Sequence, residues 1–328
     1  MIAVTGANGL LGSFVVRKLI ETQTSFVALK RKNSDTTLLN DVAEKITWRD
    51  TDILDPESLQ ECLNDITGVI HCAAKVSFNP RDEEKLLQVN VEGTRHIVNA
   101  CLALGIKRLA HVSSVAALGR QKDQTLIDES NLWKDSPFNT AYGVSKYKAE
   151  LEVFRGQEEG LSTVIINPSV ILAPGDWEKS SAKLFKYAWK ERPFYTDGSL
   201  NYVDVRDAAS IIYQLYFSTI ESERFIASGG TTTIKAFFDK LCGLLQKKAP
   251  GIKLSKRTLQ VVARLELWRS YVTGSAPLIT QETARLADTF FSYNNKKVIN
   301  KLGFQFQTID KTLHWCAEFY RKQTELKN

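Results

Sequence analysis

The chain has 328 residues, of which 43% are hydrophobic and 24% charged, and a formal net charge of +6. This is the composition of an ordinary globular protein, with room for one large α/β unit or two smaller lobes. The basicity is spread along the sequence and no stretch approaches the ~20 apolar residues that cross a bilayer, so neither nucleic acid nor a membrane is expected as a partner.

The first apolar run, Ile2–Thr5, reads as a strand that begins at once, which leaves no targeting segment expected before it. Leu10–Glu21 follows as a helix, with Leu11, Val15 and Leu19 at i, i+4 and i+8. Further strands are predicted at Phe26–Leu29, Ile46–Trp48, Val69–Cys72, Arg108–Val112 and Thr163–Ile166. Helices are predicted between them at Pro56–Asn64, Lys85–Leu104 and Ala141–Glu159, the first capped by Asp55 with Pro56 at its first position. Alternation of this kind implies an α/β fold with a doubly wound parallel sheet. After Asn167 the pattern loosens into turn signals (Pro174-Gly175-Asp176, Arg192-Pro193, Asp197-Gly198) and helical runs at Ile234–Leu245 and Lys256–Tyr271. The expected organisation is a dinucleotide-binding domain over residues 1–166, with a returning segment near 202–228. A smaller, mainly helical substrate lobe takes 167–201 and 229–328. Cys62, Cys72, Cys101, Cys242 and Cys316 show no metal-binding spacing, so no metal is expected and reduced thiols in a cytoplasmic protein fit best.

Two motifs carry chemistry. The first strand runs into Thr5-Gly6-Ala7-Asn8-Gly9-Leu10-Leu11-Gly12, a turn whose glycines let backbone amides and a helix N-terminus meet a pyrophosphate. Its spacing is GxxGxxG rather than the commoner GxGxxG. At the end of the second strand, where an NAD enzyme usually has an acid for the ribose hydroxyls, stands Lys30-Arg31-Lys32. Cations there suit a 2′-phosphate, Arg31 first for its planar fork and Lys30 second, so NADP(H) is favoured and NAD(H) stays open. The plainer alternative is a solvated basic turn. The second motif, Tyr142-Gly143-Val144-Ser145-Lys146, sets a phenol and an ammonium at i and i+4 on one helix face. There the lysine is expected to lower the tyrosine's pKa towards the working range. The fifth strand ends in Ser113-Ser114, whose hydroxyls lie within reach of the same substrate oxygen.

These segments, with His71-Cys72-Ala73-Ala74, Asn90-Val91-Glu92-Gly93-Thr94, Asn167-Pro168-Ser169-Val170 and Tyr202-Val203-Asp204-Val205-Arg206-Asp207, resemble an extended short-chain dehydrogenase/reductase of the NAD-dependent epimerase/dehydratase family, nearest its dihydroflavonol-reductase-like branch. The resemblance implies a Rossmann fold, Tyr142 as catalytic acid/base, Lys146 on the nicotinamide ribose, and Ser114 rather than Ser113 as the catalytic hydroxyl. It places Gly6, Asn8, Gly9, Leu10, Leu11 and Gly12 on the pyrophosphate, and Asp52 and Ile53 beside the adenine. Ala73, Ala74 and Lys75 would border the ribose and pyrophosphate, while Pro168 and Val170 would lie by the carboxamide. Asn90 corresponds to the asparagine that some members use in a proton relay. A homodimer would also be in keeping with the family.

The leading functional expectation is NADP-dependent reduction of a carbonyl, or oxidation of a secondary alcohol, of a small organic substrate. The alternatives are an NAD-dependent nucleotide-sugar epimerase or dehydratase and a non-catalytic nucleotide sensor. His71 and His111 are expected to be hydrogen-bonded core histidines. Arg206 is read as a structural ion pair or, alternatively, as a partner for an anionic substrate group. Trp177, Phe185, Trp189 and Tyr195 line either a substrate pocket or the small lobe's own core.

Overall fold

The computed structural model describes residues 1–121, 124–179, 181–273 and 280–325. Its strands are β1 (Ile2–Thr5), β2 (Phe26–Lys30), β3 (Trp48–Asp50), β4 (Gly68–His71), β5 (Arg108–Val112), β6 (Leu126–Ile127), β7 (Ser162–Pro168), β8 (Val170–Leu172), β9 (Phe194–Tyr195), β10 (Ser199–Asp204), β11 (Glu223–Ala227), β12 (Gly230–Thr233), β13 (Ile252–Lys253) and β14 (Ser292–Tyr293). The helices are α1 (Leu10–Glu21), α2 (Pro56–Leu63), α3 (Glu83–Leu87), α4 (Gly93–Ala103), α5 (Ala141–Glu158), α6 (Ala182–Trp189), α7 (Val205–Phe217), α8 (Ile234–Leu245), α9 (Lys256–Thr273), α10 (Gln281–Leu286), α11 (Lys296–Leu302) and α12 (Ile309–Glu325).

Seven strands form one parallel sheet in the order β11-β7-β5-β4-β1-β2-β3. The chain winds outward from β1 to β3 and then returns to lay β4 on the other side of β1. The sheet's switch point, where ligands of such sheets bind, therefore lies at the carboxyl ends of β1 and β4. Thr5 is in register with Leu29 on one side and His71 on the other, so the glycine turn leaves from that edge.

The strands are apolar on both faces because both are covered. Val4, Ile70, Ala110, Val164 and Ile166 pack against Val15, Val16 and Leu19 of α1 and Ile211, Ile212 and Leu215 of α7. Their neighbours Ala3, Val69, Leu109 and Ile165 point the other way, onto Leu59 and Leu63 of α2, Ile97 and Val98 of α4 and Val153 of α5. The one-residue alternation of strand side chains splits the two cores.

The later part of the chain is mainly helical, as expected, and adds a small sheet. β8, β10 and β12 make a three-stranded sheet, β10 parallel to β8 and antiparallel to β12. A separate aromatic core, with Phe185, Phe237 and Tyr320 fully buried, joins α6, α8 and α12 to it. Trp177 and Trp189 pack on this core, and Trp177 lies edge-to-face with Trp189 at 5.7 Å. Those two tryptophans and Phe185 are therefore lobe core. Tyr195 sits in β9 under the Lys235 ammonium. Tyr320 also clamps the Pro174-Gly175-Asp176 turn, its hydroxyl accepting from the Gly175 amide at 3.0 Å.

Two local expectations are corrected. The third strand is Trp48–Asp50, two residues later than the apolar run suggested, because Ile46 is used as a buried plug before the strand begins. The helix expected over Lys85–Leu104 is interrupted by a π turn at Gln88–Glu92, which joins α3 to α4. Asp55 caps α2 as expected, accepting from the Ser58 amide at 3.2 Å.

Candidate active site

The glycine turn is held by sterics. Gly6 has φ +64, and a Cβ there would stand 2.6 Å from the Ala73 nitrogen; a Cβ on Gly12 would stand 2.1 Å from the Gly6 oxygen. The Gly9 amide donates to the Gly6 carbonyl at 2.9 Å, and Gly9 opens α1 with no side-chain cap. An uncapped first turn beside side-chain-free backbone suits a pyrophosphate, so the residues present fit a dinucleotide. The Asn8 side chain spans the mouth, donating to the Asp35 carbonyl at 3.0 Å. Across the turn, the Ala73 amide donates to the Thr5 hydroxyl at 3.2 Å, so the β4 loop is tied to the β1 turn. Ala74 is exposed, and Lys75 pairs with Asp82 at 3.5 Å.

At the end of β2 the three cations part company. Lys30 is only 17% exposed and gives its ammonium to Asp50 at 2.6 Å. Arg31 and Lys32 are exposed, and Arg31 makes no side-chain hydrogen bond or ion pair among the described residues. Asp52 is spent on its own turn, accepting from the Leu54 amide at 3.0 Å. Ile53 is wedged against Gly93, where a Cβ would stand 2.5 Å from its Cδ1.

Tyr142 and Lys146 both lie on α5, whose start is fixed by Thr140, a cap that accepts from the Gly143 amide at 3.0 Å. Gly143 lets the helix close on the short turn Val115–Leu118, since a Cβ there would meet the Ala116 oxygen at 2.9 Å. That approach brings Ser114, the residue that opens the turn, to Tyr142. Burial pushes the Tyr142 phenol up to about 12, and the Ser114 hydroxyl beside it draws it back down. The lowering expected from Lys146 is not found: burial raises the phenol and the only opposing influence is Ser114, while the lysine's ammonium is turned to the Val112 carbonyl. Lys146 itself is 1% exposed, and its Nζ donates to the Val112 carbonyl at 2.8 Å. Burial lowers it to about 8, against the opposing pull of the Glu150 carboxylate and Cys72.

The π turn explains Asn90. The extra residue turns its amide inward, where it accepts from the Lys75 amide at 2.7 Å and donates to the Lys75 carbonyl at 3.0 Å and the Ser145 hydroxyl at 2.9 Å. Asn90 thereby links the β4 loop to α5. Pro168 ends β7, while Val170 begins β8 and is 37% exposed.

The sequence does not single out Glu150, although it lies one turn beyond Lys146 on the same face of α5, and Asn167 stands there only as the start of the Asn167-Pro168-Ser169-Val170 segment, with no role of its own. Glu150 is fully buried and accepts from the Asn167 amide at 2.6 Å and from Arg224 at 3.3 Å. The same Asn167 nitrogen donates to the Ser114 carbonyl at 2.9 Å.

The two buried histidines differ. His71 meets the Thr5 hydroxyl at 2.6 Å and the Thr94 hydroxyl at 3.2 Å, whereas neither ring nitrogen of His111 has a hydrogen-bond partner among the described residues, against the expectation for it. Arg206 forms the ion pair with Asp204, at 2.5 Å, and stacks over Trp315 at 4.0 Å. Among the described residues no group of three or more His, Cys, Asp and Glu side chains could hold a metal ion, and no helix is long and apolar enough to cross a membrane.

Residues 2–219 match the model of the NAD dependent epimerase/dehydratase family. The chain is 28% identical over 306 residues to sterol demethylase protein B of Methylococcus capsulatus, covering 92% of each chain. It is 29% identical over 244 residues to cinnamoyl-CoA reductase 1 of Petunia hybrida, covering 70% of this chain and 72% of that one. The crystal structure of gox2253 superimposes with a TM-score of 0.84 at 29% identity, over 98% of both chains. Because the family match spans the glycine turn, the turn opened by Ser114 and helix α5 together, the chain belongs to the NAD dependent epimerase/dehydratase family, the extended short-chain dehydrogenases/reductases, and is an NAD(P)-binding enzyme of the oxidoreductase type.

Proposed function

We propose that the protein is an NADP-dependent reductase of carbonyl groups on small, largely apolar substrates, working equally as an oxidant of the corresponding secondary alcohols. The observation that carries this reading is the meeting of the Ser114 hydroxyl and the Tyr142 phenol, with Lys146 one turn along the same helix. When bound, the nicotinamide supplies or accepts the hydride. Tyr142 gives its proton to the substrate oxygen, or takes it back in the oxidative direction. Ser114 donates a hydrogen bond to the same oxygen and so polarises the carbonyl. Lys146 holds the cofactor ribose. Gly6, Asn8, Gly9, Leu10, Leu11 and Gly12 hold the pyrophosphate, while Asp52 and Ile53 border the adenine. Ala73, Ala74 and Lys75 lie along the ribose side, and Pro168 and Val170 by the carboxamide. Residues 1–166, with the returning segment near 202–228 that carries α7 and β11 back to the sheet, serve as the cofactor domain, and residues 167–201 and 229–328 as the substrate lobe.

The choice of NADP rests on Arg31, whose guanidinium has no partner among the described residues, while the ammonium of its neighbour Lys30 is paired with Asp50. The substrate class rests on the surroundings of Tyr142. Phe78 meets its ring edge-on at 6.1 Å, and Phe78 and Val76 are 43% and 52% exposed. Arg206, the cation considered for an anionic substrate, is committed to Asp204 and Trp315, which weighs against a nucleotide sugar.

The test is turnover of ketone, aldehyde and sugar-nucleotide panels with NADPH, by wild type and Tyr142→Phe. The variant loses only a hydroxyl, so cofactor affinity should stay near wild type while turnover falls ~10²-fold or more. Near wild-type turnover in Tyr142→Phe would remove the catalytic assignment, and binding without any turnover would favour a nucleotide sensor.

A further inference from the structure

We propose that Glu150 is the positioning residue of this site: a buried carboxylate one helical turn from Lys146 that keeps the lysine charged and, through Asn167, fixes the backbone at Ser114. The inference rests on the reading of Ser114, Tyr142 and Lys146 given above.

The geometry is specific. A carboxylate with no exposed surface is costly to bury unless it is paired and hydrogen-bonded. Glu150 receives the Asn167 amide at 2.6 Å and the Arg224 guanidinium at 3.3 Å, the latter arriving from β11. Arg224 is itself committed elsewhere, donating to the Glu129 carbonyl at 2.8 Å and the Asn131 carbonyl at 2.7 Å. Its other neighbour along α5 is Lys146, at i and i+4 on the same buried face. Lys146 makes its hydrogen bond to a neutral carbonyl, that of Val112, and forms no ion pair among the described residues. Glu150 is the acid that opposes the loss of its proton. Burial raises Glu150, and Ser113, Arg224, Asn167 and Lys146 pull it back towards the charged form.

Asn167 adds the mechanical half. One amide nitrogen bridges the Glu150 carboxylate and the Ser114 carbonyl, so the acid reaches two catalytic residues on different elements.

The other groups facing Lys146 stay silent near neutral pH. His71 is lowered to about 3 by burial and by the lysine, and His111 is also lowered well below its ordinary value, first by burial. Burial raises Cys72 to about 12. A proton lost from this cluster around pH 8 is accordingly read at Lys146, and Glu150→Gln removes the one carboxyl in the cluster that burial raises.

The experiment is a fluorescence titration of the intact enzyme with NADPH from pH 5.5 to 9.5, in wild type, Lys146→Met, Glu150→Gln and Glu150→Asp. Lys146→Met supplies the baseline for every other titrating group, including those of the cofactor. Relative to that baseline, wild-type affinity should weaken as pH rises through about 8. In Glu150→Gln, which keeps an acceptor for Asn167 and loses the charge, the break should move at least ~1 unit lower, a tenfold loss of proton affinity at Lys146. Glu150→Asp should fall between the two, and alone decides the matter if the glutamine variant does not fold. A break at the wild-type pH in these variants, or a loss of affinity independent of pH, would overturn the proposal while leaving the lysine's role intact. If Lys146→Met keeps the wild-type break, Lys146 is not the titrating contact, and both readings fall.

Discussion

Arg31 and Lys146 are the residues at which charge decides behaviour. Arg31 is free to meet a 2′-phosphate, so NADPH should bind at least ~10-fold more tightly than NADH, about 1.4 kcal/mol. Arg31→Glu should abolish that preference, and equal affinities in wild type, read by fluorescence titration, would return Arg31 to a solvated turn. Lys146 gives a pH dependence with a definite sign. Its pKa is lowered to about 8, chiefly by burial, so the ammonium is present below that pH and is lost as pH rises through it. Tyr142 remains protonated over the same range, because burial has pushed it up to about 12. The kcat/KM for reduction should therefore hold through neutrality and fall above about pH 8. The fall should vanish in Lys146→Met, whose cofactor affinity should be weaker at pH 7. A fall that survives in that variant would have another source.

At the scale of single elements, the catalytic helix depends on how closely it meets the turn after β5. Gly143→Ala would place a methyl 2.9 Å from the Ala116 oxygen, a backbone atom that cannot swing aside. We expect a destabilisation of ~1–3 kcal/mol, read as a lower urea midpoint. Turnover should fall with it, since the same shift separates Ser114 from Tyr142. Unchanged stability and turnover would show that α5 can move without cost. The π turn is the complementary case. A helix over Lys85–Leu104 is the natural reading of the sequence, since nothing in its apolar spacing marks an interruption. Turned inward, Asn90 meets the Lys75 backbone donor and acceptor and the Ser145 hydroxyl, partners that no local spacing reveals.

Across the whole molecule, the lobes are joined by polar contacts at the start of α7. Asp204 accepts from Arg206 and from the Thr312 hydroxyl of α12, and Asp207 accepts from the Gln307 amide at 2.7 Å. Asp207 is 5% exposed, and burial raises it to about 6 from 3.8. Its folded pKa lies above the unfolded one, so the folded state binds the extra proton and stability falls as pH rises from about 4 to about 6. Above that range the ionised carboxylate costs up to a few kcal/mol. Asp207→Asn keeps an acceptor for Gln307 without the charge. It should raise the Tm at pH 8 and make little difference at pH 4. A Tm lowered at pH 8 would mean that the charge's attraction to Arg206 outweighs its burial.

The parallel sheet could be read from the residues because its strands are short apolar runs with helical spacing between them, and both signals are local. The GxxGxxG turn and the Tyr142–Lys146 spacing were legible for the same reason, each being a motif within one stretch of chain. Glu150, Asn167 and Asn90 gain their meaning from contacts 15 to 74 residues away, and a period or motif contains no information about such partners. The same holds for Lys30, whose cation looks equivalent to that of Arg31 until β3 brings Asp50 alongside it. Trp177, Trp189 and Phe185 are apolar and suit either a pocket or a core. Packing of α6 against α8 and α12 resolved them as core, because burial is a property of the neighbours a side chain meets and not of the side chain itself.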